Sequence, residues 1–159
     1  MRRGAASSLF RDAVIERDVQ ADRICWGCEI DCTTTAWATC RSQSLLRDAH
    51  HLIPQRVLRL EFPHGVFLGE RDGRPAWLKV PFPGAVSGVP VRSLEQLLDD
   101  PRNGVMVGRW HHERIESHRT IPLRHHLPAD VWAFAIELDI EWMLERWYPV
   151  CAVKRSDAA

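Results

Sequence analysis

The sequence contains no run of about 18 apolar residues, the length a helix needs to cross a bilayer, and its start, MRRGAASSLFRD, is basic without the apolar stretch of a secretory signal. A soluble, cytoplasmic protein with no membrane partner is expected. Net charge is missing as well: 21 lysines and arginines balance 21 aspartates and glutamates, so the chain as a whole does not advertise a polyanion partner. Cysteine is scarce and odd in number, five in 159 residues, which fits reduced thiols better than a disulfide framework. Lysine is nearly absent, 19 of the 21 basic residues being arginine. The planar arginine fork suits phosphate, but a GC-rich genome would give the same bias. No internal repeat or low-complexity tract is found, and the length suits one compact domain over residues 1–159.

The charge that is present is unevenly distributed. Residues 41–60 hold Arg41, Arg47, Arg56 and Arg59 against Asp48 alone, and residues 102–126 hold five arginines against Glu113 and Glu116. The part from Leu127 onward carries six acids against three basic residues and restores neutrality.

The local patterns predict an α+β chain. LFRDAVIERD has Leu9, Phe10, Ala13, Val14 and Arg17 at helical spacing behind a capping Ser7 or Ser8. The segment RICWGCEIDCTTTAWATCRS is irregular and rich in β-branched residues, and reads as loop with short strand. LLRDAHHLIPQ reads as a strand stopped by Pro54. GVFLGERDGRPAWLKV predicts a hairpin around Asp72 and Gly73, and SLEQLLDD a helix capped by Ser93. RNGVMVGRW reads as a second strand opening at Asn103, and HHERIESH as a helix ending before Pro122. LPADVWAFAIELDIEWMLERWYP predicts one long amphipathic helix with Pro128 in its first turn and Pro149 beyond its end. The seven tryptophans are expected in the core.

Two histidine doublets stand out, His50 with His51 and His111 with His112, and Asn103 lies nine residues before His112. Successive strand residues point to opposite sides, so His50 and His51 are poorly placed to grip one ion together. They are well placed to divide two tasks. A neutral imidazole can accept the proton of an attacking water.

A strand ending in His-His, an asparagine opening a second strand and a histidine on the helix behind it resemble the HNH endonucleases, the ββα-metal family of DNA-cleaving enzymes of phages and bacteria. The resemblance runs from about Phe10 to His118, including FRDAVIERD and CWGC, and leaves out most of residues 56–100. It implies a ββα-metal core with flanking N- and C-terminal helices and an inserted hairpin and helix at about 56–100. It also implies metal-dependent hydrolysis of DNA phosphodiester bonds, with His50 as a ligand, His51 as general base, and Asn103 orienting the base or reaching the metal. On the helix, His112 and Glu116 are four apart and share a face, whereas His112 and His118 do not, which makes Glu116 the third ligand expected. A carboxylate there, where family members often carry histidine, tilts the site toward Mg²⁺ or Mn²⁺, with Zn²⁺ or Ni²⁺ as alternatives.

Many HNH proteins hold a four-cysteine zinc, and here the two later cysteine positions are Gly108 and His111. Cys25 and Cys28 have the spacing of a metal knuckle and can combine with two of Cys32, Cys40 and His111 to hold zinc, unless that metal has been lost. Arg109, Arg114 and Arg119 are candidate contacts to DNA phosphates, or else a solvated helix face. The competing function is a non-catalytic nucleic-acid or protein-binding module on the same scaffold.

Overall fold

The computed structural model describes residues 7–23, 25–30, 40, 47–78, 90–112 and 123–148. Its elements in chain order are α1 (Ser8–Gln20), α2 (Trp26–Ile30), β1 (Arg47–His51), α3 (Gln55–Glu61), β2 (Phe67–Arg71), β3 (Arg74–Leu78), α4 (Leu94–Leu98), β4 (Gly104–Gly108), α5 (Arg109–His112), α6 (Ala129–Glu137) and α7 (Glu141–Trp147). The architecture is α+β, with two separate two-stranded antiparallel sheets, β1 with β4 and β2 with β3. No helix among the described residues is long and apolar enough to cross a membrane.

The chain divides into two compact units, Met1–Leu52 with Pro101–Ala159, and Ile53–Asp100. The second unit begins within three residues of the expected insertion.

In the first unit the β1–β4 pair sets the geometry. Asp48 faces Val107, His50 faces Val105 and His51 faces Gly104. β4 is buried along its whole length, as an apolar GVMVG run requires. Helix α1 covers one side of the pair. Its Ser7 side chain caps it by accepting from the Phe10 N–H at 3.1 Å, and fully buried Phe10 and Val14 cluster with Ala49 of β1. Polar contacts fix its position. Buried Asp18 accepts from the Met106 N–H at 2.8 Å, and Arg17 donates to the carbonyls of Pro101 at 2.6 Å and Gly104 at 2.8 Å. A buried carboxylate is tolerated because each oxygen has a partner; here Arg17 also reaches Asp18 at 2.9 Å.

The residue after β1 is held from two sides. Leu52 donates its N–H to the Asn103 carbonyl at 2.9 Å, and its own carbonyl accepts from the hydroxyl of Tyr148 at 2.7 Å. Tyr148, the one tyrosine of the sequence, is thereby tied to the strand end that carries the first histidine doublet.

The second unit contains the expected hairpin. Asp72 (φ 55°) and Gly73 (φ 75°) are both left-handed, as a two-residue turn of the right twist demands. Helix α4 has the expected Ser93 cap, completed as a capping box by Gln96.

Three local expectations are corrected. The CWGC segment, expected as loop and strand, forms helix α2, because the Cys25 carbonyl accepts from the N–H groups of Cys28 at 2.9 Å and Glu29 at 3.2 Å. Pro54 does more than stop a strand: its carbonyl accepts from Val57 and Leu58 and opens helix α3, since proline is well suited to a helix start. The long C-terminal helix is two helices. Asp139 turns left-handed at φ 58°, and the Ile140 N–H bonds the Ala135 carbonyl while Asp139 bonds Ile136, a Schellman ending that buries Ile140 completely.

Candidate metal centres

Strand β1 alternates its side chains across the sheet, and the environment of each histidine follows. His51 lies on the α1 side, its ring stacked on fully buried Phe10 at 3.8 Å between centroids and 7° between planes. His50 lies on the other side. Its ring meets that of His112 edge-on, with centroids 5.4 Å apart, and stacks at 6.4 Å with Trp26 of α2.

His112 arrives there because α5 starts directly after β4 and turns back over the strand pair. One residue of the candidate site was missed in the sequence. Asp48, two before His50 and so on the same strand face, places Oδ2 2.8 Å from His112 Nδ1. That hydrogen bond, against the opposing effect of burial, holds the Asp48 carboxyl below its ordinary value, with help from the Ala49 N–H. The signal was available in the two-residue period of the strand.

Asn103 is completely buried in a 3-10 turn ahead of β4. Its carbonyl binds Leu52 next to His51, so it joins the two strand ends. Arg109 opens α5 on the surface. Glu116, Arg114, Arg119 and Cys32 lie outside the described residues, as does most of the expected helix after His112.

A second cluster is built from the knuckle. The ligand atoms of Cys25, Cys28, Cys40 and His111 all lie within 4.8 Å of one another, and among the described residues they form the one converging group of three or more His, Cys, Asp or Glu donors. Nδ1 of His111 is 3.4 Å from Cys25 Sγ and 3.8 Å from Cys28 Sγ. Donors at the corners of a zinc tetrahedron are separated by roughly 3.3–3.8 Å, given bonds of about 2.0–2.3 Å. The four residues therefore suit a metal ion of zinc's preferences.

The surrounding backbone is shaped to the cluster. A Cβ on Gly27 would fall 2.3 Å from His111 Cγ, and one on Gly108 would fall 2.4 Å from Cys40 Sγ. The Gly108 N–H donates to Cys25 Sγ at 3.0 Å. Burial pushes the Cys28 thiol well above its ordinary value, with the neighbouring Cys25 adding to it, and burial likewise raises Cys40. Without a cation, the Cys28 and Cys40 thiols resist ionisation. A bound divalent ion would reverse that balance.

The doublet His111–His112 thus faces two ways from one short helix, His111 fully buried toward the thiols and His112 half-exposed toward Asp48 and His50. Comparison with protein-family models, with curated proteins and with solved structures finds no match.

Proposed function

We propose that this chain is a metal-dependent endonuclease of the HNH type that hydrolyses DNA phosphodiester bonds, on a ββα-metal core formed by β1, β4 and the helix after β4. One observation carries the reading: His50 from the first strand and His112 from that helix, 62 residues apart in sequence, meet at 5.4 Å between ring centroids. Two imidazoles at that separation can share one ion, and Glu116 is the third ligand this reading assigns.

A divalent ion held there would supply Lewis-acid stabilisation of the charge that builds on a scissile phosphate. The chain's own groups do the rest. His50 and His112 would hold the ion, and Asp48 keeps the His112 ring in place. His51 takes the proton of the attacking water on an imidazole nitrogen. Asn103 fixes the strand end beside His51 through the Leu52 N–H. Arg109, Arg114 and Arg119 are assigned to phosphate, where a guanidinium can bind two oxygens at once. The Cys25, Cys28, Cys40 and His111 group is assigned to a structural zinc that fastens α2 to α5.

The competing reading, a non-catalytic nucleic-acid or protein-binding module, is favoured by the face that His51 occupies. Its ring rests on Phe10 rather than beside His50. Incubating the purified chain with supercoiled plasmid and Mg²⁺, Mn²⁺, Ni²⁺ or Zn²⁺, each with and without EDTA, separates the two. Nicked or linear product that requires a cation supports the nuclease. Intact plasmid under every cation, with DNA retained in a gel-shift assay, supports the binding module.

A further inference from the structure

The Asp48–His112 contact has consequences for which nitrogen of His112 is able to bind an ion. Both carboxylate oxygens of Asp48 are engaged. Oδ1 accepts from the Ala49 N–H at 2.8 Å and faces Arg11 Nε at 3.8 Å, while Oδ2 lies 2.8 Å from His112 Nδ1. Arg11 is itself tied down, donating to the Arg47 carbonyl at 3.0 Å. The carboxylate is therefore held in orientation by a backbone amide and a cation, independently of His112.

An ionised carboxylate only accepts hydrogen bonds, so the nitrogen facing it must be the donor. In a neutral imidazole the other nitrogen then carries the lone pair. We propose that Asp48 is a positioning residue that sets His112 as the Nδ1–H tautomer, leaving Nε2 as the nitrogen able to bind a divalent ion. Its use toward an ion rests on the nuclease reading; the tautomer itself does not.

The pair is built for this task more than for stability. Side chains of both partners are about one-third exposed, 32% for His112 and 39% for Asp48, and ion pairs at such exposure contribute little to folding. Carboxylates behind a ligating histidine fix its ring and raise its basicity, and their loss typically lowers metal affinity about 10–100-fold.

The test uses the full chain with ¹⁵N-labelled histidine, carrying one zinc per chain and no other divalent ion, in alkaline buffer where imidazoles are neutral, with the His112 signals assigned by His112→Gln. Long-range ¹H–¹⁵N spectra should show His112 protonated on Nδ1 in the wild type. Asp48→Ala should release the preference for Nδ1, and Asp48→Asn should move the proton to Nε2, because its one amide oxygen is claimed by the Ala49 N–H and Arg11 and its NH2 then faces Nδ1 as a donor. Mn²⁺ titration should then show affinity falling roughly 10–100-fold in both variants.

A wild-type ring protonated on Nε2, or a tautomer that Asp48→Ala leaves unchanged, overturns the proposal. Loss of Mn²⁺ affinity in either variant while His112 stays protonated on Nδ1 would make Asp48 a direct ligand and also overturns it. A chain that cuts no plasmid yet shows the expected tautomers refutes the nuclease reading and supports the Asp48 assignment.

Discussion

Replacing Gly27 by alanine tests the cysteine cluster without touching a ligand. In an ordinary helix interior this change stabilises by about 1 kcal/mol, since alanine is the better helix former. At Gly27 the new methyl would lie 2.3 Å from Cγ, 2.5 Å from Cβ and 2.6 Å from Cδ2 of His111. The Cβ of His111 is fixed by the backbone of α5, so the ring cannot swing clear by rotating its far end. It escapes only by carrying Nδ1 away from Cys25 and Cys28, now 3.4 Å and 3.8 Å distant. Overpacking of this kind costs about 1–3 kcal/mol, and the shortness of three contacts points to the upper end. Set against the helix gain, the expected result is a net loss of about 2 kcal/mol, with weaker zinc binding. Urea denaturation of wild type and Gly27→Ala, with zinc and after chelation, reads the first quantity; atomic emission on dialysed protein reads the second. A variant at least as stable as wild type that keeps one zinc per chain would refute the packing of His111 against the knuckle.

Three further outcomes are expected. Cys25→Ser with Cys28→Ser should lower the thermal midpoint and abolish zinc content while leaving Mn²⁺ affinity nearly unchanged, because structural zinc contributes folding free energy directly; an unchanged midpoint in a zinc-free wild type would make these thiols simple core residues. His51→Ala should bind DNA and Mn²⁺ as wild type does yet cut about 10²–10⁴ times more slowly, whereas His112→Ala should also lose Mn²⁺ affinity; normal cutting by His51→Ala removes the general-base role. The third outcome concerns acid stability. Asp48 has a folded-state carboxyl held below its ordinary 3.8, so its carboxylate adds to stability above that pH, by a small amount because both partners are about one-third exposed, and the contribution is lost as pH falls through the lower folded value. Urea midpoints of wild type and Asp48→Asn measured from pH 6 down to pH 2 should therefore converge at the acid end. A gap that stays constant across that range would contradict the assignment.

Local chemistry made several elements readable in the sequence. Ser7 and Ser93 each cap the helix they precede, and Asp72–Gly73 can supply the two left-handed residues of a hairpin. Alternation along β1 also separated His50 from His51. Non-local effects were less visible. Asp139 breaks the last helix because Ile140 gains full burial by turning inward, a reward that no local pattern displays. Cys40 joins Cys25 and Cys28 through packing, and spacing alone did not separate it from Cys32. Asp48 is a different case: the same alternation that placed His50 places Asp48 beside it, but its partner His112 comes from 64 residues away.

The unit Ile53–Asp100 leaves and rejoins the chain at the open end of a strand pair, where Leu52 bonds Asn103. This bears on the order of folding. A flexible segment of that length makes β1–β4 pairing about 2 kcal/mol costlier to initiate than a four-residue turn would, because loop-closure entropy grows with the logarithm of length. Any order that residues 53–100 take up before β1 meets β4 lowers that penalty, because it shortens the flexible connection. Substitutions in residues 53–100 that touch neither histidine can therefore change how fast that pair forms.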